Sequence, residues 1–230
     1  MNEFFQNSIF AGAVLTLTAW EIGQAIQKRY QSVLLNPLFL AVILAAGVLK
    51  VFHITYENYY ESAKYISYFL TPATVCLAMP LYDQLKLLRR NFRAAAAGIA
   101  AGTLTSLFSV FLIAKGFHLT YQEYVTLLPK SVTTAIGIEM SEEMRGMVSV
   151  TAAVIIMTGI FGSLTAEIVF KICRIKEAAA RGTALGTAAH AVGTAKAMEN
   201  GGEEGAMSSF ALVASGLVTV VFLPAFSLLI

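Results

Sequence analysis

Residues 182–209 read GTALGTAAHAVGTAKAMENGGEEGAMSS, a run of small and polar residues with one His and one Lys, set beside two long apolar segments. No water reaches the hydrocarbon core of a bilayer to satisfy backbone N–H and C=O groups. Irregular backbone at that depth persists only where protein or a watery cavity covers it. The run is too polar for a lipid-facing span. It is also too apolar, and too poor in turn signals, for an ordinary loop. Residues 181–200 are therefore predicted as a re-entrant or broken helix inside a helical bundle. Placed on a helix, Thr183, Thr187, His190 and Thr194 fall at spacings of four, three and four, one continuous polar stripe. Gly182, Gly186, Ala189 and Gly193 form the neighbouring stripe, where small residues let another backbone approach.

The rest of the chain supports a membrane setting. Of 230 residues, 57% are hydrophobic and 13% charged, and the mean hydropathy is +0.69. Soluble domains carry about 25% charged residues. The net charge of +2 gives no field suited to nucleic acid. Cys76 and Cys173 lie in apolar segments without metal-type spacing and read as small hydrophobes. The N-terminus lacks a basic region and a small-residue cleavage site, so the first apolar run is expected to be a retained membrane helix.

Apolar runs mark six expected spans at residues 9–26, 34–52, 66–82, 94–114, 147–172 and 206–230. A polar, tyrosine-rich loop, ITYENYYESAKY, is expected after the second. Residues 121–145, which contain LLPKSVTTAIGIEM, form a second special segment like 181–200. The fold expected is an all-α polytopic membrane protein, a single domain over residues 1–230 with about six full spans and two re-entrant or broken helices. Basic residues cluster at Lys28 and Arg29, at Lys86, Arg89, Arg90 and Arg93, and at Lys171, Arg174, Lys176 and Arg181. The positive-inside rule then puts the N-terminus outside. Keeping the last cluster inside requires the 121–145 segment to enter and leave on the outer side. Two re-entrants from opposite faces are a transporter-like arrangement. LTPATVCLAMPLY (70–82) and LGTAAHAVGTAKA (185–197) echo each other about half a chain apart, which suggests an inverted repeat with halves 1–116 and 117–230.

Three places carry candidate chemistry. Pro129 followed by Lys130, Ser131, Thr133 and Thr134 reads as a helix start, whose free N–H groups and lysine suit an anion. An ionisable residue at membrane depth is a functional candidate by default; the competing reading is a lysine snorkelling to water. Thr187, His190 and Thr194 could line a hydrogen-bonding track, with His190 binding a carboxylate or carrying a proton; the competing reading is helix packing. Thr71, Pro72, Thr74 and Pro80 mark a span with two helix breaks that free backbone carbonyls; the competing reading is a plain kink. Gly98 and Gly102 suit close helix packing, and Glu167 is expected to pair with Lys171. No nucleophile elbow, zinc-protease helix, phosphate loop or dinucleotide fingerprint occurs, so neither enzyme activity nor a cofactor or metal is expected.

LPKSVTTAIGIEMSEEMRG, VTAAVIIMTGIFGS and ALGTAAHAVGTAKAMENGGEEGAMSSFAL together resemble the LrgB/CidB family of bacterial inner-membrane proteins, and TPATVCLAMPLYDQ fits the same pattern. Ala135 departs from it, since the family often has a second proline there. The resemblance implies two roles. One is antiholin- or holin-like control of murein hydrolase activity and autolysis with a small membrane partner, LrgA or CidA. The other is transport of small carboxylates such as pyruvate or glycolate. A homo-oligomer is a further expectation. A broken-helix site with Lys, Thr and His favours transport, because a lysis regulator needs an interaction surface rather than a site.

Overall fold

The computed structural model describes residues 5, 8–30, 37–69, 72, 75–76, 82–83 and 85–230. Every regular element among them is an α-helix, as an all-α membrane protein requires. They fall into two compact units, Met1–Cys76 and Leu77–Ile230. The first holds α1 (Ala11–Tyr30), α2 (Pro37–Val51) and α3 (Tyr56–Ser67). The tyrosine-rich stretch expected as a loop is thus the helix α3. Its Tyr56 and Tyr60 rings stack at 5.8 Å, and Gly12 of α1 donates its N–H to Ser62 Oγ at 2.8 Å. Pro72 is helical and exposed, whereas Thr71, Thr74 and Pro80 lie outside the described residues.

The second unit carries α4 (Leu85–Gly116), α5 (Tyr121–Leu127), α6 (Thr134–Glu143), α7 (Val148–Ile172), α8 (Ala178–Asn200) and α9 (Gly202–Ser227). Among the described residues, three stretches are long and apolar enough to cross a bilayer: Arg89–Gly116 within α4, then α7 and α9. At about 1.5 Å per residue each exceeds a hydrocarbon thickness of about 30 Å. Their outward faces carry large apolar side chains, among them Met157, Phe161, Leu217 and Val221. A helix that is apolar on its exposed side is solvated by lipid. The basic cluster at 86–93 is the first turns of α4 rather than a loop before it.

Each re-entrant is launched by the same device. After α4, Leu119 N–H donates to Ala114 C=O at 2.9 Å; after α7, Ile175 N–H donates to Phe170 C=O at 2.8 Å. These are Schellman turns, with His118 and Arg174 at φ 53° and 55° in the position usually held by glycine. Both release the chain at once into the segment that turns back into the bundle.

The first re-entrant is α5, a turn over residues 128–133, and α6. Its base lies at the end of the bundle where α9 finishes, since Tyr124 Oη donates to Phe226 C=O at 2.8 Å. The return leg is tied beside it: Met147 N–H donates to Thr126 Oγ1 at 2.8 Å, and Thr151 Oγ1 bonds both Thr126 C=O and Ser141 Oγ. Tyr124, Val125 and Leu128 pack against Leu107, Val110 and Ala114 of α4. Pro129 sits past the end of α5 and stops it. It does not start the next helix, which begins at Thr134.

The second re-entrant is α8. Its helical path breaks at His190, with φ 42° and ψ −131°. The legs on either side fold back on each other. Leu185 and Ala197 share one core cluster with Ala166 and Phe170, although a straight helix would hold them about 18 Å apart. Gly193 faces the Leu185 carbonyl so closely that a Cβ would collide with it. At the base, Arg181 and Asn200 both reach the Glu167 carboxylate. The polar stripe expected to be continuous from Thr183 to Thr194 is therefore folded in two, with His190 at the tip. The glycine stripe does the packing expected of it. Gly182 and Gly186 sit against the Glu204 and Ser208 carbonyls of α9, leaving no room for a side chain. Glu167 pairs across to Arg181 instead of along its own helix to Lys171.

Candidate functional site

The two re-entrants enter from opposite ends and their tips meet inside the second unit. Ser131 of the first and Thr187 of the second line one small void with Ser106 of α4. Beside it opens a cavity of about 900 Å³. From Arg90, Asn91 and Glu177 at the basic end of the bundle it runs to a floor that holds Ser106, Lys130 and Ser131. The walls between are Ala and Gly of α4 facing Ala180, Thr183, Ala184, Thr187 and Ala188 of α8.

Lys130 is the centre of this floor. Its Nζ donates to Ser106 Oγ and Ser131 Oγ, both at 3.0 Å, and the two hydroxyls lie 3.0 Å apart. No carboxylate pairs with Lys130 among the described residues. The ammonium is thus held by neutral oxygens and keeps its charge uncompensated, facing a cavity. Such a group costs free energy to bury and recovers it when an anion arrives. The apolar walls raise the effective strength of that attraction by lowering the local dielectric.

The expected site residues divide. Lys130, Ser131 and Thr187 reach the cavity. Thr133 is the N-cap of α6 without a side-chain capping bond, Thr134 is its first residue, and neither lines the cavity. Lys130 and Ser131 are presented by the turn, not by a helix N-terminus as expected. His190 and Thr194 do not line the cavity either. Thr194 Oγ1 donates to His190 C=O at 2.9 Å and lies 2.9 Å from Ser208 Oγ, a packing role. Thr187 Oγ1 donates to Thr183 C=O at 2.8 Å, which leaves its lone pairs free. Ser106 was missed by the sequence reading. Its signal was present: Thr103, Thr105, Ser106 and Ser109 crowd hydroxyls into an apolar span.

His190 is 2% exposed, and its Nε2–H donates to Ile155 C=O at 2.9 Å. The ring lies over Gly159 of α7, where a Cβ would stand 2.7 Å from Cε1. Its backbone geometry costs a non-glycine residue about 1–3 kcal/mol. His190→Gly relieves that strain but loses the ring's hydrogen bond; His190→Ala loses the bond and keeps the strain. His190→Gly is therefore expected to unfold at a higher temperature than His190→Ala, by an amount equivalent to about 1 kcal/mol. Thermal unfolding of the two variants in detergent checks this; equal midpoints would mean that the strain is absent.

The LrgB-like family matches residues 16–229. Over 229 residues, 100% of this chain and 99% of the other, the sequence is 34% identical to a Staphylococcus aureus protein named Holin-like protein CidB. The Staphylococcus epidermidis protein of that name gives the same figures. A Bacillus cereus protein named Antiholin-like protein LrgB is 37% identical over 218 residues, 94% of this chain and 95% of that one. No solved structure matches. With the family matched almost end to end and full-length relatives above 30% identity, this chain is a multi-pass membrane protein of the LrgB-like family.

Proposed function

We propose that this chain is a transporter, or transporter subunit, for small carboxylates such as pyruvate or glycolate, acting in the bacterial cytoplasmic membrane with a small LrgA/CidA-type membrane protein. The observation that carries this reading is Lys130: a cation without a counter-ion among the described residues, held by Ser106 and Ser131 at one side of a cavity. A substrate carboxylate supplies the missing charge. The positive-inside rule puts the basic end of the bundle, and with it the Arg90 end of the cavity, on the cytoplasmic side and the N-terminus outside. Two re-entrants whose tips meet at the cavity floor suit alternating access, in which one tip moves and the other holds the substrate. His190 is not part of the substrate site in this reading.

The second reading, control of murein hydrolase activity and autolysis, draws on the printed names of the holin-like and antiholin-like relatives. It requires an assembly surface and gives the unpaired lysine no task. Uptake of labelled pyruvate and glycolate into proteoliposomes, with and without the small partner, separates the two. Saturable flux supports transport. Absence of flux in both preparations, from protein that is folded, would sink it.

A further inference from the structure

Between the two re-entrant tips lies a small, partly enclosed void of about 10 Å³, which adjoins the large cavity and shares Ser106, Ser131 and Thr187 with it. Five hydroxyls line it: Thr103 and Ser106 of α4, Ser131 of the turn, Thr187 of α8 and Thr219 of α9. Thr103 is 4% exposed, and its Oγ1 has no hydrogen-bond partner among the described residues. Buried hydroxyls without partners are rare, and each asks for an explanation. We infer that this void is a binding site for one water molecule, which joins both re-entrant tips to α4 and α9.

The hydrogen-bond inventory selects the ligand. Thr187 Oγ1 donates to Thr183 C=O and Thr219 Oγ1 to Ser215 C=O, both at 2.8 Å, so these two present only lone pairs to the void. Ser106 and Ser131 both accept from Lys130 Nζ, and one of the pair donates to the other. That leaves one serine proton free. Thr103 has its proton free as well. The site therefore offers two free protons beside the proton-less faces of Thr187 and Thr219, a mixed set of donors and acceptors that a water can satisfy. An anion would face the lone pairs of Thr187 and Thr219. A metal cation would share Ser106 and Ser131 with an ammonium group. The volume admits about one water and excludes larger ligands.

This site lies beside the Lys130 floor but does not depend on transport, and its test reads no flux. Two measurements decide it. In a structure of the full chain at a resolution that resolves waters, a peak is expected about 2.7–2.9 Å from Thr103 Oγ1, Thr187 Oγ1 and Thr219 Oγ1. It is expected to stay unchanged when Na⁺ is replaced by Tl⁺ and Cl⁻ by Br⁻. An empty void, or a peak that gains anomalous signal from either ion, would overturn the proposal. The second measurement is a sign. Thr103→Val keeps the shape and removes the hydroxyl. If water is bound, the variant strands it and the unfolding temperature falls by a few degrees; Thr103→Ser retains the parent value more closely. If the void is dry, Thr103→Val removes an orphaned polar group and the unfolding temperature rises or stays. Either of those last two results would refute the site.

Discussion

Lys130→Gln is expected to reduce carboxylate uptake by about 30- to 100-fold while the protein remains folded. The estimate follows from the surroundings of Nζ. Truncating one member of a desolvated, hydrogen-bonded charge pair costs about 2–5 kcal/mol, and each 1.4 kcal/mol is about tenfold in affinity. Lys130 is half-buried and opens onto a cavity, so the lower part of that range applies. The parent fold does not use the charge in any ion pair among the described residues. Gln is neutral and one atom shorter, and its amide still offers a polar group toward Ser106 and Ser131. Thermal stability is thus expected to stay level or rise, because an unpaired buried charge is removed. Lys130→Arg should not restore full uptake, since a planar guanidinium cannot place a point charge between two hydroxyls. Ser106→Ala and Ser131→Ala each remove one neutral hydrogen bond and should cost about two- to tenfold. Initial rates of labelled uptake against substrate concentration measure all four variants. If Lys130→Gln transports like the parent, the anion site is elsewhere.

The fold was legible where composition conflicts with depth. Residues 121–145 and 181–200 read as re-entrant because neither lipid nor water suits them. Both turn back into the bundle, launched by the turns at His118 and Arg174. What the stripe argument missed was the fold-back itself. Helical spacing placed Thr183, Thr187, His190 and Thr194 on one face, and nothing in that spacing signals a break at a histidine. The break depends on tertiary contacts: the Ile155 carbonyl, the surface left bare at Gly159, and the close approach that Gly193 permits. Lys130 and Ser131 were legible because a lysine at membrane depth demands a partner. Ser106 was not singled out, because one serine in an apolar helix usually bonds its own backbone. Its contacts with Lys130 and Ser131 distinguish it from Ser109, which donates to Thr105 C=O at 2.6 Å.

Arg181→Ala is expected to destabilise the second unit by about 2–4 kcal/mol, the largest stability loss at any one ionic contact described here. Arg181 sits at the base of the α8 hairpin between two carboxylates and over the Phe170 ring, whose centroid is 4.9 Å from Cζ. It bonds Glu167 at the end of α7, and its Nε lies 3.1 Å from Glu204 Oε2 of α9 at an angle that falls short of a hydrogen bond. Asn200, at the other end of the hairpin, donates to Glu204 Oε1 at 2.6 Å and to Glu167 Oε1 at 3.3 Å. Both legs of α8 therefore meet α7 and α9 at one cluster of Arg181, Asn200, Glu167 and Glu204. The two carboxylates differ. Glu167 is well exposed and turns to water when its partner is lost, so its pair contributes little. Glu204 is 6% exposed and cannot turn to water. Removing the arginine leaves that charge buried with only an amide beside it, and breaking a buried pair from one side costs about 3–5 kcal/mol. Partial exposure of Arg181 lowers the figure to the range given. The double variant Arg181→Ala with Glu204→Gln removes the stranded charge and should recover at least half of the loss. Unfolding midpoints in detergent, with hydrogen exchange over residues 178–200, read both effects. The single variant should expose the hairpin legs before the spans, because Arg181 and Asn200 are where the base is tied. If the double variant is no more stable than the single one, the arginine acts through its packing on Phe170, not by compensating Glu204.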